Sequence, residues 1–176
     1  MASFFEIIND RTRNDRTKEE LIHCSICSSK LESVDMYVVA KAYQDGKCIL
    51  EAVQCVDCQL DARDYVSEQS LENITLYSGR RFNEFIQDPM HRKLYHLEEP
   101  SCLITGELLA PKDSFEIYSF NIPGAHLEDH NFLFVGPTAI EQMSELLSEE
   151  TRRSWERYTE TLMPDSPEIV ISPMFF

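Results

Sequence analysis

Five consecutive stretches decide how this chain folds: CSIC (24–27), MYVVAKAY (36–43), QDG (44–46), KCILEAVQ (47–54) and CVDC (55–58). The runs rich in Val, Ala, Ile and Tyr on either side of Asp45-Gly46 predict a β-hairpin, because both central residues of a type I′ turn need positive φ. Two residues between paired cysteines let both sulfurs converge on one ion, and two pairs complete the tetrahedral set that zinc prefers. Cys24, Cys27, Cys55 and Cys58 are therefore the expected ligands of one structural zinc. Residues 28 to 54 separate the pairs, more than the roughly 15 to 20 of common ribbons, and a hairpin with its connections fills that length.

Downstream of the second pair, Ala62, Tyr65 and Val66 recur at helical spacing, with Asp61 and Asp64 near the start where the helix dipole favours them. A helix beginning at CVDC is expected. A second helical piece is expected with Ser78 as its cap and Phe82, Phe85 and Ile86 on one face, stopping at Asp88-Pro89. Knuckle, hairpin, knuckle and helix, over about Ile22 to Ile74, resemble a treble-clef zinc finger, with zinc ribbons as the neighbouring architecture. Knuckles of such fingers often carry glycine just after the second cysteine; here Ser28 and Gln59 stand there. The resemblance implies an architecture and a bound zinc, and it does not imply a task.

The second half repeats the theme without the cysteines. Ser114 to Phe120 alternates like a strand, Asn121-Ile122-Pro123-Gly124 opens a loop, and Asn131 to Val135 reads as the returning strand. Pro137 suits a first helical position, and Ser148 suits the cap of a further helix striped with Trp155, Tyr158 and Leu162. A shift of 78 places Cys24, Ile26, Cys27 and Cys58 on Cys102, Ile104, Thr105 and Gly136, while Ser67-Glu68-Gln69-Ser70 resembles Ser148-Glu149-Glu150-Thr151 at a shift of 81. These matches suggest a degenerate duplicate that lost its metal and kept Cys102, with coincidence as the alternative. The expected class is α+β, organised as 1–21 N-terminal helix and connector, 22–89 zinc half, 90–100 linker and 101–176 second half. The apolar tail Glu168 to Phe176 is expected to pack back as an edge strand.

Composition narrows the function classes. Formal charge is 16 − 31 = −15, of which residues 101–176 contribute 4 − 13 = −9. Such a balance disfavours a nucleic-acid partner, unless Arg11, Arg13, Arg16 and Lys18 act alone. No stretch reaches the roughly 18 apolar residues of a spanning helix, and Met1 to Asp10 lacks signal-peptide features, so a cytoplasmic protein without membrane association is expected. In that compartment cysteines point to metal or redox chemistry rather than disulfides. Cys48 and Cys102 read as small buried hydrophobes. His126 and His130 read as a polar loop, and His91 and His96 as surface. No Gly-rich phosphate loop or Gly-x-Ser-x-Gly elbow is present, so catalysis is not expected. The leading expectation is a zinc-stabilised protein-interaction module. A thiol-disulfide oxidoreductase using Cys55 and Cys58 and a nucleic-acid-associated finger are the alternatives.

Overall fold

A computed structural model describes residues 21–87, 100–124 and 132–162 of the chain. The first hairpin forms as the sequence predicts: β1 (Tyr37–Gln44) pairs antiparallel with β2 (Lys47–Cys55). Asp45 (φ 51°) and Gly46 (φ 72°) both take the left-handed conformation its two-residue turn needs. Gly46 is doubly constrained, since a Cβ there would lie 3.2 Å from the Pro111 carbonyl oxygen. A second hairpin joins β3 (Phe115–Asn121) to β4 (Phe132–Val135). The four strands form one antiparallel sheet in the order β2-β1-β3-β4, which with the helices makes the chain α+β.

Among the described residues four α-helices follow the hairpins in pairs. After the first come α1 (Val56–Asp61), continued by a 3-10 turn over Ala62–Tyr65, and the long α2 (Glu68–Gln87). After the second come α3 (Pro137–Leu146), with its proline in the first turn as predicted, and α4 (Glu149–Leu162). One expectation is corrected here. Ser78 does not start a helix: α2 runs through it, and its hydroxyl donates to the Ile74 carbonyl one turn back (2.8 Å). The break lies earlier, where Val66 turns extended and the Ser67 hydroxyl accepts from the Ser70 N–H (3.3 Å). That is the ordinary N-cap geometry of serine. The expected N-terminal helix, the 90–99 part of the linker, the histidine loop and the C-terminal edge strand lie outside the described residues.

The core gathers Leu50 and Ala52 from β2, Phe115 and Ile117 from β3, Phe134 and Val135 from β4, and Ala62, Met143 and Trp155 from the helical layer. Phe115 stacks on Tyr43 with ring centroids 5.1 Å apart. Within the sheet lies one buried ion pair. Lys41 and Glu51 are cross-strand partners, with Nζ 2.9 Å from Oε2. Removing either partner from such a pair strands a buried charge, a loss of about 3–5 kcal/mol.

The second half repeats the hydrogen bonds of the first cysteine turn. Cys24 N–H donates to Ser29 O and Ser28 N–H to Cys24 O; Cys102 N–H donates to Glu107 O and Gly106 N–H to Cys102 O, in each case 78 residues later. The small bridges His23↔Lys30 and Ser101↔Leu108 obey the same shift. Past the hairpin loops the shift becomes 81: Ser25 N–H donates to Val53 O, and Leu103 N–H to Phe134 O. The second loop is longer by the difference. Cys55 and Cys58 therefore correspond to Gly136 and Ala139, which corrects the uniform shift that placed Cys58 on Gly136.

The two repeats meet around a local two-fold axis. β1 and β3 pair so that Ala40 faces Tyr118, the residue 78 positions after it. Across the same axis the helix starts exchange caps. Ser67 N–H donates to Thr151 Oγ1 and Ser148 N–H to Ser70 Oγ, both at 2.9 Å, and the Ser67 and Ser148 hydroxyls touch at 3.2 Å. The long helices also exchange neighbours: α2 packs against α3, and α4 against the 3-10 turn of the first repeat. Ser70→Ala and Thr151→Ala each strand the amide that starts the other repeat's helix. Each is expected to lower stability by about 1–2 kcal/mol in chemical denaturation, and wild-type midpoints would show the exchange to be energetically idle.

Candidate metal centre

The first cysteine pair sits on a tight turn made by the backbone. Cys24 N–H donates to Ser29 O (2.9 Å), Ser28 N–H to Cys24 O (3.0 Å) and Leu31 N–H to Ile22 O (2.9 Å). Ser28 must adopt φ 58° to close this turn, and its counterpart Gly106 adopts φ 73°. Glycine is the residue that takes such a φ without steric cost, and it stands at this position in the second repeat, where the first has serine. The turn is pinned to β2 twice: Ser25 N–H donates to Val53 O (2.7 Å), and Val53 N–H donates to Ser25 Oγ (3.0 Å).

The second pair straddles the end of a strand and the start of a helix. Cys55 is the last residue of β2 and Cys58 lies in the first turn of α1. Val56 N–H donates to Met36 O (3.0 Å), which fixes the exit of the strand. Leu31, Val39 and Val53 pack beside Cys24, Cys55 and Cys58 in a small apolar cluster of their own.

These elements bring all four cysteines together, with their sulfurs within 4.8 Å of one another. The Cys27 and Cys55 sulfurs lie 3.7 Å apart. Zinc with sulfurs at 2.3 Å in a tetrahedron spaces them about 3.8 Å apart. The set therefore fits a tetrahedral thiophilic ion. Cys24, Cys55 and Cys58 are buried, and Cys27 is exposed. The Cys55 amide donates to Cys24 Sγ (3.4 Å), the contact that stabilises a thiolate.

Cys27 is shifted one way, and Cys55 and Cys58 the other. Cys27 donates to Ser29 Oγ (3.2 Å) as a thiol; as a thiolate it accepts from the Ser29 hydroxyl and backbone, which holds its pKa down to about 6. Burial pushes the Cys55 and Cys58 thiols up, and for Cys58 the hydrogen bonds to Cys27 and Cys55 add to the effect.

The corresponding place in the second repeat is built differently. Cys102, Thr105, Gly136 and Ala139 stand at the ligand positions. A Cβ on Gly136 would lie 2.4 Å from Glu107 Oε1 and 2.8 Å from Leu109 Cδ2, so side chains of the turn occupy the space a thiol would need. Cys102 is fully buried, as expected of a small hydrophobe, and Cys48 donates to Leu50 O (3.1 Å) from within β2. His23 stands in the bridge to Lys30, apart from the sulfur cluster. His91, His96, His126 and His130 lie outside the described residues.

Two participants escaped sequence reasoning. Ser29 was one; a hydroxyl two residues past a ligand carries no distinctive pattern. Tyr158 was the other. It reads as one apolar stripe residue of α4, yet the thiols of Cys58 and Cys24, after burial itself, push its phenol pKa up. Its counterpart Tyr77, 81 residues earlier, is raised by burial and by Cys102 and Glu107. Each long helix thus brings a tyrosine beside the other repeat's cysteine turn, and the matched pair was the available signal.

Metal uptake must displace the protons of Cys55 and Cys58, whose pKa values lie above the ordinary thiol value, while Cys27 is already ionised at neutral pH. Affinity is therefore expected to fall as pH drops. From those two thiols it weakens about a hundredfold per pH unit near pH 7, and more steeply below pH 6, where Cys27 also protonates. Competition titration with a chromophoric chelator at pH 6 to 8 measures the slope, and a pH-independent affinity would contradict the assignment. Compared with family models, with characterised proteins and with solved structures, the chain matches none of them.

Proposed function

We propose that this chain is a zinc-stabilised, non-catalytic interaction module of treble-clef design that binds a protein partner in the cytoplasm. The observation that supports it most is the convergence of Cys24, Cys27, Cys55 and Cys58 from a turn and a strand-to-helix junction onto one point. Four thiolates leave no open coordination position, which is the mark of a structural rather than a catalytic zinc. The units 22–89 and 101–176 are then two copies of one ancestral finger, the second of which lost its metal.

Packing supports that history. Where the first repeat has Ala62, Ile74 and Val53, the second has Met143, Trp155 and Phe134, all of them buried. Each enlargement adds apolar burial worth about 1–3 kcal/mol. A half that gains such a core can hold together without an ion.

The thiol-disulfide alternative asks Cys55 and Cys58 to present a reactive thiolate. Both are buried and both are shifted up, the reverse of what a nucleophilic cysteine requires. Among the described residues no helix is long and apolar enough to cross a membrane, which is compatible with the proposed compartment. Exposed apolar side chains flank the ligands in sequence, Ile22 before Cys24 and Leu60 after Cys58, and are our candidates for partner contact. The charge of −15 favours a basic protein surface over nucleic acid.

Elemental analysis of protein purified without added metal is expected to return one zinc per chain. Stripping the metal with a chelator is expected to unfold the first repeat, since a structural zinc contributes on the order of 10–16 kcal/mol against the roughly 5–15 kcal/mol of a whole domain. The fluorescence of Trp155, the single tryptophan, reports the loss, because its ring lies 4.9 Å from that of Tyr158, which packs at a tilt, 4.8 Å away, against Tyr65 of the first repeat. A folded, metal-free protein with wild-type fluorescence would refute the proposal.

A further inference from the structure

Of the four sulfurs, one differs in access. Cys24, Cys55 and Cys58 are 2%, 3% and 7% exposed, whereas Cys27 lies at the surface. Any reagent approaching from solvent meets Cys27 first. The sulfur it would find behind Cys27 is that of Cys55, at 3.7 Å. Cys55 belongs to β2 and Cys27 to the turn, so a bond between them would link the two pairs of the ligand set. Metal binding leaves a thiolate nucleophilic, and susceptibility to oxidants follows thiolate character and exposure.

We infer that Cys27 is a modification site: a peroxide oxidises it, Cys55 resolves the product as a disulfide, and the metal is expelled. The inference rests on the metal reading proposed above. In the first step the Cys27 thiolate attacks one peroxide oxygen. An S–O bond forms, the O–O bond breaks, and hydroxide leaves and takes a solvent proton to become water. Sulfur is oxidised by two electrons to a sulfenic acid, and the peroxide is reduced. In the second step the Cys55 thiolate attacks the Cys27 sulfur. The S–S bond forms, the S–O bond breaks, and the departing hydroxide becomes a second water. Two thiolates, one hydrogen peroxide and two protons thus yield one disulfide and two waters. The ion retains only Cys24 and Cys58, too few to hold it in a tetrahedral thiolate site. A dithiol reductant and free zinc reverse the change.

The surroundings of the two sulfurs favour this pairing over a bond within either Cys-x-x-Cys. Cys24 accepts from the Cys55 amide inside the apolar cluster, and Cys58 is held in the first turn of α1. Cys48, the other partly exposed cysteine, donates to the Leu50 carbonyl and lies outside the sulfur cluster.

The test uses the full chain loaded with zinc and treated with one equivalent of hydrogen peroxide. Zinc release is read with a chromophoric chelator, and disulfides are mapped by mass spectrometry without reduction. One zinc released for each Cys27–Cys55 disulfide is the expected result, with Cys48→Ser behaving as wild type. Cys27→His keeps a ligand but removes the exposed thiolate, and is expected to slow release at least about tenfold. Wild-type mapping decides the matter even if that variant fails to fold. A first disulfide between Cys24 and Cys27 or between Cys55 and Cys58, oxidation that starts at Cys48, or oxidation without zinc loss would overturn the inference. Protein that takes up no zinc at all fails the metal reading instead, and mapping its first disulfide still accepts or rejects the Cys27–Cys55 pairing.

Discussion

The register between β1 and β3 is the constraint on which everything else in this fold depends. Ala40 faces Tyr118, its own two-fold counterpart, so the pairs on either side of it are images of one another, Val39 with Ser119 and Lys41 with Ile117. That pairing converts two hairpins into one continuous sheet and sets their helices around a common axis. Once the axis is fixed, Ser67 and Ser148 must meet on it, and the amide at the start of each long helix finds its acceptor in the other repeat. Neither repeat then supplies all of its own hydrogen bonds or all of its own covering helix. A metal bound to one of them consequently stabilises both.

This sharing explains how one metal, bound at the cysteine cluster, would serve two similar halves. Burial of the enlarged residues of the second repeat, Met143 and Trp155 among them, supports a sheet whose other edge is held by sulfur ligands. Trp155 and Tyr158 lie on α4, which packs on the 3-10 turn following the cysteine-bearing helix of the first repeat. The bulky side chains of the second repeat therefore brace the cysteine cluster of the first. Loss of the ion would be felt along this contact before it reached β4.

Much of this was legible in the sequence because the signals were local. Asp45-Gly46 announced its turn through a backbone requirement that few residue pairs meet, and Cys24, Cys27, Cys55 and Cys58 announced their cluster through spacing alone. The helix break at Ser67 was visible only as half of a repeated Ser-x-x-Ser/Thr pattern. The apolar recurrence of Ala62, Tyr65 and Val66 drew attention away from it, and hydroxyl-bearing Ser78 offered a false cap. What a serine does depends on whether the chain before it is extended or helical, and the sequence near Ser67 and Ser78 does not differ enough to say. The change of shift from 78 to 81 was hidden for a different reason: a hairpin loop can lengthen at small energetic cost, so the loop erased the register that the strands on either side preserve.

The exchange of helices between repeats lay beyond local signals altogether, since it depends on which faces two hairpins present once they share a sheet. Yet it decides what the metal can do. A zinc finger standing alone folds or unfolds with its own ion. Here the cysteine turn, the strand that ends in Cys55 and the helix that carries Cys58 are coupled through Tyr65 and Tyr158 to the metal-free repeat. An event at the exposed Cys27 sulfur is therefore positioned to alter the packing of α4, whose sequence lies more than a hundred residues downstream. The same two-fold arrangement that would let one half dispense with a metal would make it responsive to a metal bound by the other.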